Sequence, residues 1–291
     1  MRTFLAILFL AAQVVAQSPA LQYVCPMHPD IRSATPGTCP RCAMALVPRS
    51  ADVGNEVLEL SATPRAPLAG KPVDLTFVVR DPDTNQPIRD FDIQHERPFH
   101  LFVVSHDLDY FAHVHPRLAK DGRLHLSVVL PRPGPYQLYG DFAPSGHAPQ
   151  MLQRSLVTSG YRLTLAAAAA HLSPDLAPKV VRGLRMRIRI PDAIAGRELL
   201  VTSTVEDARS GAPITDLQPY LGAQGHLMVI SEDLADGLHS HPEANVSSAS
   251  GPDVVFQMRF PRAGLYRLWF QVQHGGEVAT FSFTVPVQPA P

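Results

Sequence analysis

The fold of this chain is decided by a stretch that occurs twice: HLFVVSHDLDYFAHVHP at residues 100–116 and HLMVISEDLADGLHSHP at residues 226–242. Each copy begins with an apolar run, passes through a polar turn, and ends in an alternating segment with the pattern H-x-H-P. Short apolar or alternating runs on either side of a polar turn are typical of paired β-strands. The two stretches therefore predict the same hairpin twice.

The repeat extends outward from these hairpins. Residues 69–116 align with residues 195–242 without a gap, at a constant difference of 126. Beyond them the difference becomes 130, because the second copy carries four extra residues in a Ser-rich loop around 246–252. About seven short strands per copy predict an immunoglobulin-like β-sandwich, with a cupredoxin-like barrel as the alternative. The predicted strands include 73–80, 101–105, 124–130 and 136–142 in the first copy and 199–206, 227–231, 254–260 and 266–272 in the second.

Composition agrees with a mainly β protein of two repeated domains. The chain has 29 prolines, which favour strands joined by turns, and 25 basic against 26 acidic residues. This balance gives no basic surface for phosphates, so we expect no nucleic acid partner. The predicted organisation is a signal peptide at 1–16, a linker at 17–22, a metal-binding module at 23–48, a linker at 49–55, sandwich repeat 1 at 56–159, a linker at 160–179, sandwich repeat 2 at 180–287 and a tail at 288–291.

The first residues have the pattern of a secretory signal peptide. Arg2 precedes an apolar run from 4 to 15, and Val14 and Ala16 are small enough for a cleavage site after Ala16. We therefore expect a periplasmic or secreted protein that has no membrane segment after cleavage. The alternative is an uncleaved anchor, which the shortness of the apolar run disfavours.

The three cysteines are confined to one short segment. Cys25, Cys39 and Cys42 lie within 18 residues, and the 249 residues after Cys42 have none. Together with His28 they form C-x2-H and C-x2-C pairs, and such spacing lets each pair face one ion. Three thiolates and one imidazole would make a tetrahedral site. The alternative is a Cys39–Cys42 disulfide, which leaves the first pair unexplained.

Two methionines lie beside these pairs, and thioethers favour Cu(I). The motifs CPMHP at 25–29 and PGTCPRCAMALVP at 36–48 resemble the heavy-metal-binding domain attached to copper- and silver-efflux proteins. Ala43 departs from the glycine that this family usually has after the last cysteine. The resemblance implies a copper or zinc site and a metal-efflux protein as a partner. The ligands that match the pattern are Cys25, Met27, His28, Cys39, Cys42 and Met44.

Histidines recur at matched positions in the two repeats. Each copy contains H-x12-H-x-H-P, formed by His100, His113 and His115 in the first and by His226, His239 and His241 in the second. If His100 lies opposite His115 across a loop at 106–109, the imidazoles converge on one strand face, where three histidines suit Zn(II) or Cu(II). The alternative is that they are ordinary polar residues carried along by duplication. Unmatched histidines are interpreted as surface residues or auxiliary ligands: His95, His125, His147, His171 and His274.

Three classes of function remain open from the sequence. The first is metal buffering, sequestration or transfer by an exported protein that is not an enzyme. The second is a tandem β-sandwich interaction or adhesion module in which metal only stabilises the fold. The third is a copper enzyme with a three-histidine site, although no GxSxG, Walker or HExxH motif is present.

Overall fold

The structure is a computed structural model, and it describes residues 22–24, 31–40, 46–49, 56–147, 149–242 and 251–291. The predicted signal peptide at 1–16 lies outside these residues. Within the described ranges, no helix has the length and apolar character that a membrane span requires.

A small antiparallel sheet forms the N-terminal module, with β1 between its two neighbours. Its strands are β1 Gln22–Val24, β2 Arg32–Ser33 and β3 Val47–Arg49. Cys39 and Leu46 are buried against Tyr23 and Ile31. Among the described residues of this module these four form the apolar contact set, and a segment of this length usually needs a disulfide, a metal or a partner for stability.

Repeat 1 is a sandwich of two four-stranded antiparallel sheets, ordered β4-β5-β9-β8 and β11-β10-β6-β7. Its strands are β4 Val57–Thr63, β5 Pro72–Arg80, β6 Phe99–Ser105, β7 Phe111–Val114, β8 Arg117–Leu118, β9 Arg123–Val129, β10 Pro135–Phe142 and β11 Gln150–Val157. A single 3-10 turn at Ala166–Ala168 lies in the connection to repeat 2.

Repeat 2 has a similar arrangement; among the described residues it shows two short strands without a counterpart in repeat 1, and no counterpart of β8. Its sheets are ordered β12-β13-β15-β18 and β14-β20-β19-β16-β17, and only the β14–β20 pair is parallel within the described residues. Its strands are β12 Lys179–Val181, β13 Leu184–Arg189, β14 Ala193–Ile194, β15 Glu198–Asp207, β16 His226–Ser231, β17 Gly237–Ser240, β18 Asp253–Arg259, β19 Gly264–His274 and β20 Glu277–Gln288. The prediction of a mainly β chain with two repeated immunoglobulin-like sandwiches is therefore confirmed.

The two sandwiches pack against each other through equivalent sheets. Strand β6 is buried at every residue: Leu101 and Val103 face the core of repeat 1, whereas Phe102 and Val104 face repeat 2. Strand β16 does the same, because Leu227 and Val229 face their own core while Met228 and Ile230 join the shared cluster. The apolar runs HLFVV and HLMVI are thus explained by burial on both faces.

The interface is approximately symmetric, because matched positions meet on both sides. The ring of Phe111 stacks on Trp269 with centroids 4.8 Å apart. At the matched place, Tyr139 lies over Gly237, where an added Cβ would be only 2.7 Å from the Tyr139 Cδ1 atom. Tyr139 also donates a hydrogen bond from its hydroxyl to the carbonyl of Leu234, at 2.8 Å. Gly237 is therefore required by the close approach of the two repeats.

Candidate metal centres

The hairpin of β6 and β7 brings three histidines of repeat 1 together, and we name His100, His113 and His115 cluster 1. Leu101 pairs with Val114 and Phe102 with His113, so His100 lies opposite His115 one step beyond the paired residues. The turn spans residues 106–109, and the predicted register is confirmed. Because alternate residues share a strand face, all three imidazoles lie on the side that faces repeat 2.

Cluster 1 has the spacing of ligands around one ion. His100 Nδ1 lies 2.9 Å from His113 Nε2, and His115 Nε2 lies 3.3 Å and 3.2 Å from these two atoms. Zn–N bonds of about 2.0–2.1 Å in a tetrahedral site place ligand nitrogens about 3.3–3.4 Å apart. The observed triangle is therefore close to the size that a tetrahedral ion needs.

Hydrogen bonds at the opposite ring nitrogens fix the tautomers of two of these histidines. His100 donates its Nε2–H to the Gln94 carbonyl at 2.9 Å, and His113 donates its Nδ1–H to Gln271 Oε1 at 2.8 Å. The neutral rings therefore direct two lone pairs at each other across 2.9 Å. A proton on His115 Nε2 can be shared with one of them at a time, whereas a cation is coordinated by all three.

Cluster 2 is the matched arrangement in repeat 2, formed by His226, His239 and His241 on β16, β17 and the residue after β17. Its three ligand atoms all lie within 4.8 Å of one another, and His226 Nδ1 is 3.3 Å from His239 Nε2. His226 donates its Nε2–H to the Tyr220 carbonyl at 2.9 Å, so its Nδ1 carries a lone pair. His241 is 4% exposed, and neither of its ring nitrogens has a hydrogen-bond partner in the described part of the chain. Buried polar atoms are almost always satisfied, so these nitrogens are available to an ion or a water.

Each cluster is completed by a residue from the opposite repeat, which we call its backing residue. Gln271 of repeat 2 accepts the His113 Nδ1–H, and its amide is oriented by a 3.1 Å bond from Nε2 to Thr280 Oγ1. Asp141 of repeat 1 accepts the His239 Nδ1–H at 2.7 Å. Positions 141 and 271 match in the repeat, and each pairs with the first histidine of its own cluster. The two repeats therefore exchange backing residues across the interface. The clusters are also close together, since the ring centroids of His100 and His239 are only 5.3 Å apart.

The electrostatics of the interface keep these imidazoles neutral. Burial away from water lowers the pKa of every imidazole in the two clusters, to about 3 for His115, and neighbouring imidazoles lower several of them further. Burial raises the pKa of Asp141 to about 6. Near pH 7 protons therefore compete weakly for the ring lone pairs, as metal ligation requires.

Of the unmatched histidines, one lies beside a cluster, in the position of an auxiliary residue. His95 is half-buried, and its ring stacks on His241 with centroids 3.5 Å apart and planes within 4°. Residue 95 lies in the turn before β6 and adopts a positive φ of 44°. The others lie apart from both clusters: His171 is exposed, while His125, His147 and His274 contact Thr76, Glu56 and Asp216.

Of the six ligands predicted in the N-terminal module, one lies among the residues that the structure describes. Cys39 is 2% exposed and packs with Leu46. The other predicted ligands lie outside the described residues: Cys25, Met27, His28, Cys42 and Met44.

Sequence reasoning missed the backing residues and could not place His95 beside cluster 2. His113 and Gln271 are separated by 158 residues and His239 and Asp141 by 98, so no local pattern connects them. A usable signal was present in the two-sided apolar character of β6 and β16, which predicts that another sheet covers the histidine face.

Comparison with known proteins finds family matches for both the N-terminal module and the two repeats. A family model described as a heavy metal binding domain matches residues 22–49. A copper-exporting P-type ATPase from Legionella pneumophila is 54% identical over 35 residues in this N-terminal region, which is 12% of this chain. The match spans only 5% of the ATPase. The predicted heavy-metal-binding domain is therefore confirmed.

Solved structures resemble the sandwiches only distantly. A DUF4426 family protein from Pseudomonas aeruginosa PAO1 has a TM-score of 0.30 and 13% identity, covering 40% of this chain and 99% of its own. A two-domain fibronectin type III segment from chicken tenascin has a TM-score of 0.23 and 13% identity, covering 79% of this chain and 97% of its own.

A family model described as a domain of unknown function, DUF8832, matches residues 51–153 and 179–289. The chain thus belongs to the DUF8832 family and carries an N-terminal heavy metal binding domain.

Proposed function

We propose that this protein is an exported heavy-metal-binding protein that holds copper or zinc both in its N-terminal domain and at clusters 1 and 2. Its task is to buffer or sequester metal, or to pass it to an efflux system. The proposal assigns binding rather than catalysis to these centres. The exported location rests on the signal-like sequence at 1–16.

One observation is the main support for metal binding by the sandwiches. In cluster 1 the lone pairs of His100 and His113 face each other at 2.9 Å, while both opposite N–H groups are committed to other acceptors. Such a pair is repulsive without a positive centre between the nitrogens. Metal-bound histidines typically donate the other N–H to a carbonyl or carboxylate in this way.

The N-terminal domain supplies a different chemistry. Clustered thiolates and thioethers favour soft ions such as Cu(I), whereas imidazoles suit Zn(II) and Cu(II). The same kind of domain in a copper-exporting ATPase supports a role in copper handling. A protein with both ligand types can bind copper in both of its oxidation states, as well as Zn(II).

Metal titration of the full chain tests the proposal with two variants. The triple variant Cys25→Ser, Cys39→Ser, Cys42→Ser should lose high-affinity Cu(I) binding but keep two Zn(II) per chain. The double variant His113→Ala, His239→Ala should lose those two Zn(II) and keep the Cu(I) site. His125→Ala with His274→Ala is the matched control, since neither residue belongs to a cluster.

Two results would contradict the proposal. Unchanged Cu(I) affinity in the triple variant would remove the N-terminal cysteines from metal handling. Unchanged Zn(II) stoichiometry in the double histidine variant would reduce the clusters to ordinary buried histidines.

A further inference from the structure

Two metal-ligand clusters lie side by side at the interface, and their surroundings differ in charge. Ring centroids of His100 and His239 are 5.3 Å apart and those of His113 and His226 are 5.4 Å apart. Two ions bound here would be close neighbours in a region with little water. Like charges at such a distance repel strongly, so the first ion bound weakens binding of the second.

The backing residues make the clusters unequal. Asp141 accepts the His239 Nδ1–H with a carboxylate oxygen, whereas Gln271 accepts the His113 Nδ1–H with a neutral amide oxygen. A carboxylate makes the imidazole a stronger ligand and places a negative charge beside the cation. Cluster 2 therefore has a direct hydrogen bond from a ligand to a carboxylate, which cluster 1 lacks, while the Asp141 charge acts on His100 of cluster 1 only through space.

The clusters also differ in their exposure to solvent, and this difference likewise favours tighter binding by cluster 2. The third histidine of cluster 2, His241, is 4% exposed and is covered by the stacked ring of His95. The third histidine of cluster 1, His115, is only partly buried. An ion in cluster 1 is thus reached by solvent and by competing ligands through His115, whereas one in cluster 2 is enclosed.

We propose that clusters 1 and 2 form one two-ion centre with a fixed order of filling: cluster 2, backed by Asp141 from repeat 1, retains the first divalent ion, and cluster 1, backed by Gln271, is the weaker exchange site. This inference rests on the proposed metal-binding function of the clusters. It means that each repeat sets the affinity of the ion bound by the other.

The test isolates each site in the full chain, with the N-terminal cysteines replaced by serine so that Zn(II) reports on the sandwiches alone. His115→Ala leaves cluster 2, and His241→Ala leaves cluster 1. Competition with a chromophoric chelator should give cluster 2 an affinity about 10–100-fold higher than that of cluster 1. In the chain with both clusters, Zn(II) should leave in two phases, and the fast phase should vanish in His115→Ala.

The matched positions provide a sharper variant. Asp141→Asn keeps a hydrogen-bond acceptor but removes the charge, and it should weaken cluster 2 by about 10–100-fold and cluster 1 by less, since Asp141 makes no hydrogen bond to a cluster 1 imidazole. The exchange Asp141→Gln with Gln271→Asp conserves composition and should reverse the order of filling. Circular dichroism of the metal-free variants controls for folding.

The outcomes separate this inference from the function on which it rests. If neither isolated cluster binds Zn(II), the metal function of the sandwiches fails together with the two-ion centre. If both bind with equal affinity, and the exchange variant leaves that equality unchanged, the ordered centre is overturned while metal binding stands.

Discussion

Clusters 1 and 2 are built from the same hairpin, yet they are not the same site. Their histidines occupy matched positions, and both first histidines donate to a backbone carbonyl, of Gln94 or of Tyr220. They differ in what the opposite repeat supplies, which is Gln271 for one and Asp141 for the other. Duplication therefore preserved the ligands, while divergence acted on the neighbours that set their charge.

The largest effect we expect is stabilisation by metal, which compares the two clusters directly. An ion present at 100 times its Kd adds about 2.7 kcal/mol to the free energy of unfolding for each site that binds only the folded state. Zn(II) should therefore raise the melting temperature of the cysteine-free chain, and a chelator should reverse the rise. His113→Ala and His239→Ala should each remove part of it, and their combination all of it. An undiminished rise in the combined variant would contradict the comparison.

The next effect concerns the interface that aligns the clusters. Gly237→Ala places a methyl group against Tyr139, so it should cost about 1–3 kcal/mol through overpacking. Phe111→Ala removes the stack on Trp269 at the matched place and should cost about 3 kcal/mol. Urea unfolding of the metal-free variants measures both changes.

Zn(II) affinity should fall in the same two interface variants, since both clusters need the opposite repeat. Leu200→Ala is a control on an exposed position outside the interface, and it should leave affinity unchanged. Full Zn(II) affinity in a destabilised Gly237→Ala chain would show that the repeats do not act together.

The smallest effect we expect concerns the ion pairs that an arginine makes with aspartates of the two hairpin turns. Arg262 contacts Asp233 at 3.0 Å and Asp236 at 2.9 Å, whereas Arg132 contacts Asp107 at 3.3 Å and Asp109 at 3.8 Å. The Arg262 guanidinium lowers the pKa of Asp233 to about 2. A lowered carboxyl pKa stabilises the fold above its ordinary value near 3.8, and that contribution is lost as pH falls toward 2.

These pairs are largely exposed, so water and salt screen them. Asp233→Asn should cost less than about 1 kcal/mol at pH 7, and Asp107→Asn less still. The cost should shrink in 1 M salt and disappear near pH 2. Urea unfolding at pH 7 and at pH 2 checks the sign, and a cost that grows in acid would refute it.

The sequence predicted the local geometry of the candidate site but not its surroundings. The repeat and the strand alternation place His100 opposite His115, because pairing across a short turn is a local property. The backing residues could not be predicted, since strand periodicity shows which residues share a face but not which sheet covers that face. His95 was predicted only as a surface residue or an auxiliary ligand, because its matched position is Leu221 and the repeat gives no reason to place it in a cluster. In the structure its ring stacks on that of His241.

The approximate symmetry of the interface bears on how the centre assembles at low protein concentration. A surface that pairs with a near copy of itself is the kind through which two separate molecules form a dimer, and such a dimer falls apart when its concentration drops. Here one polypeptide carries both halves, so the opposite half is always present at an effective concentration set by the connecting segment. Asp141 and Gln271 therefore reach their histidines at any protein concentration, and the assembled centre needs no second chain.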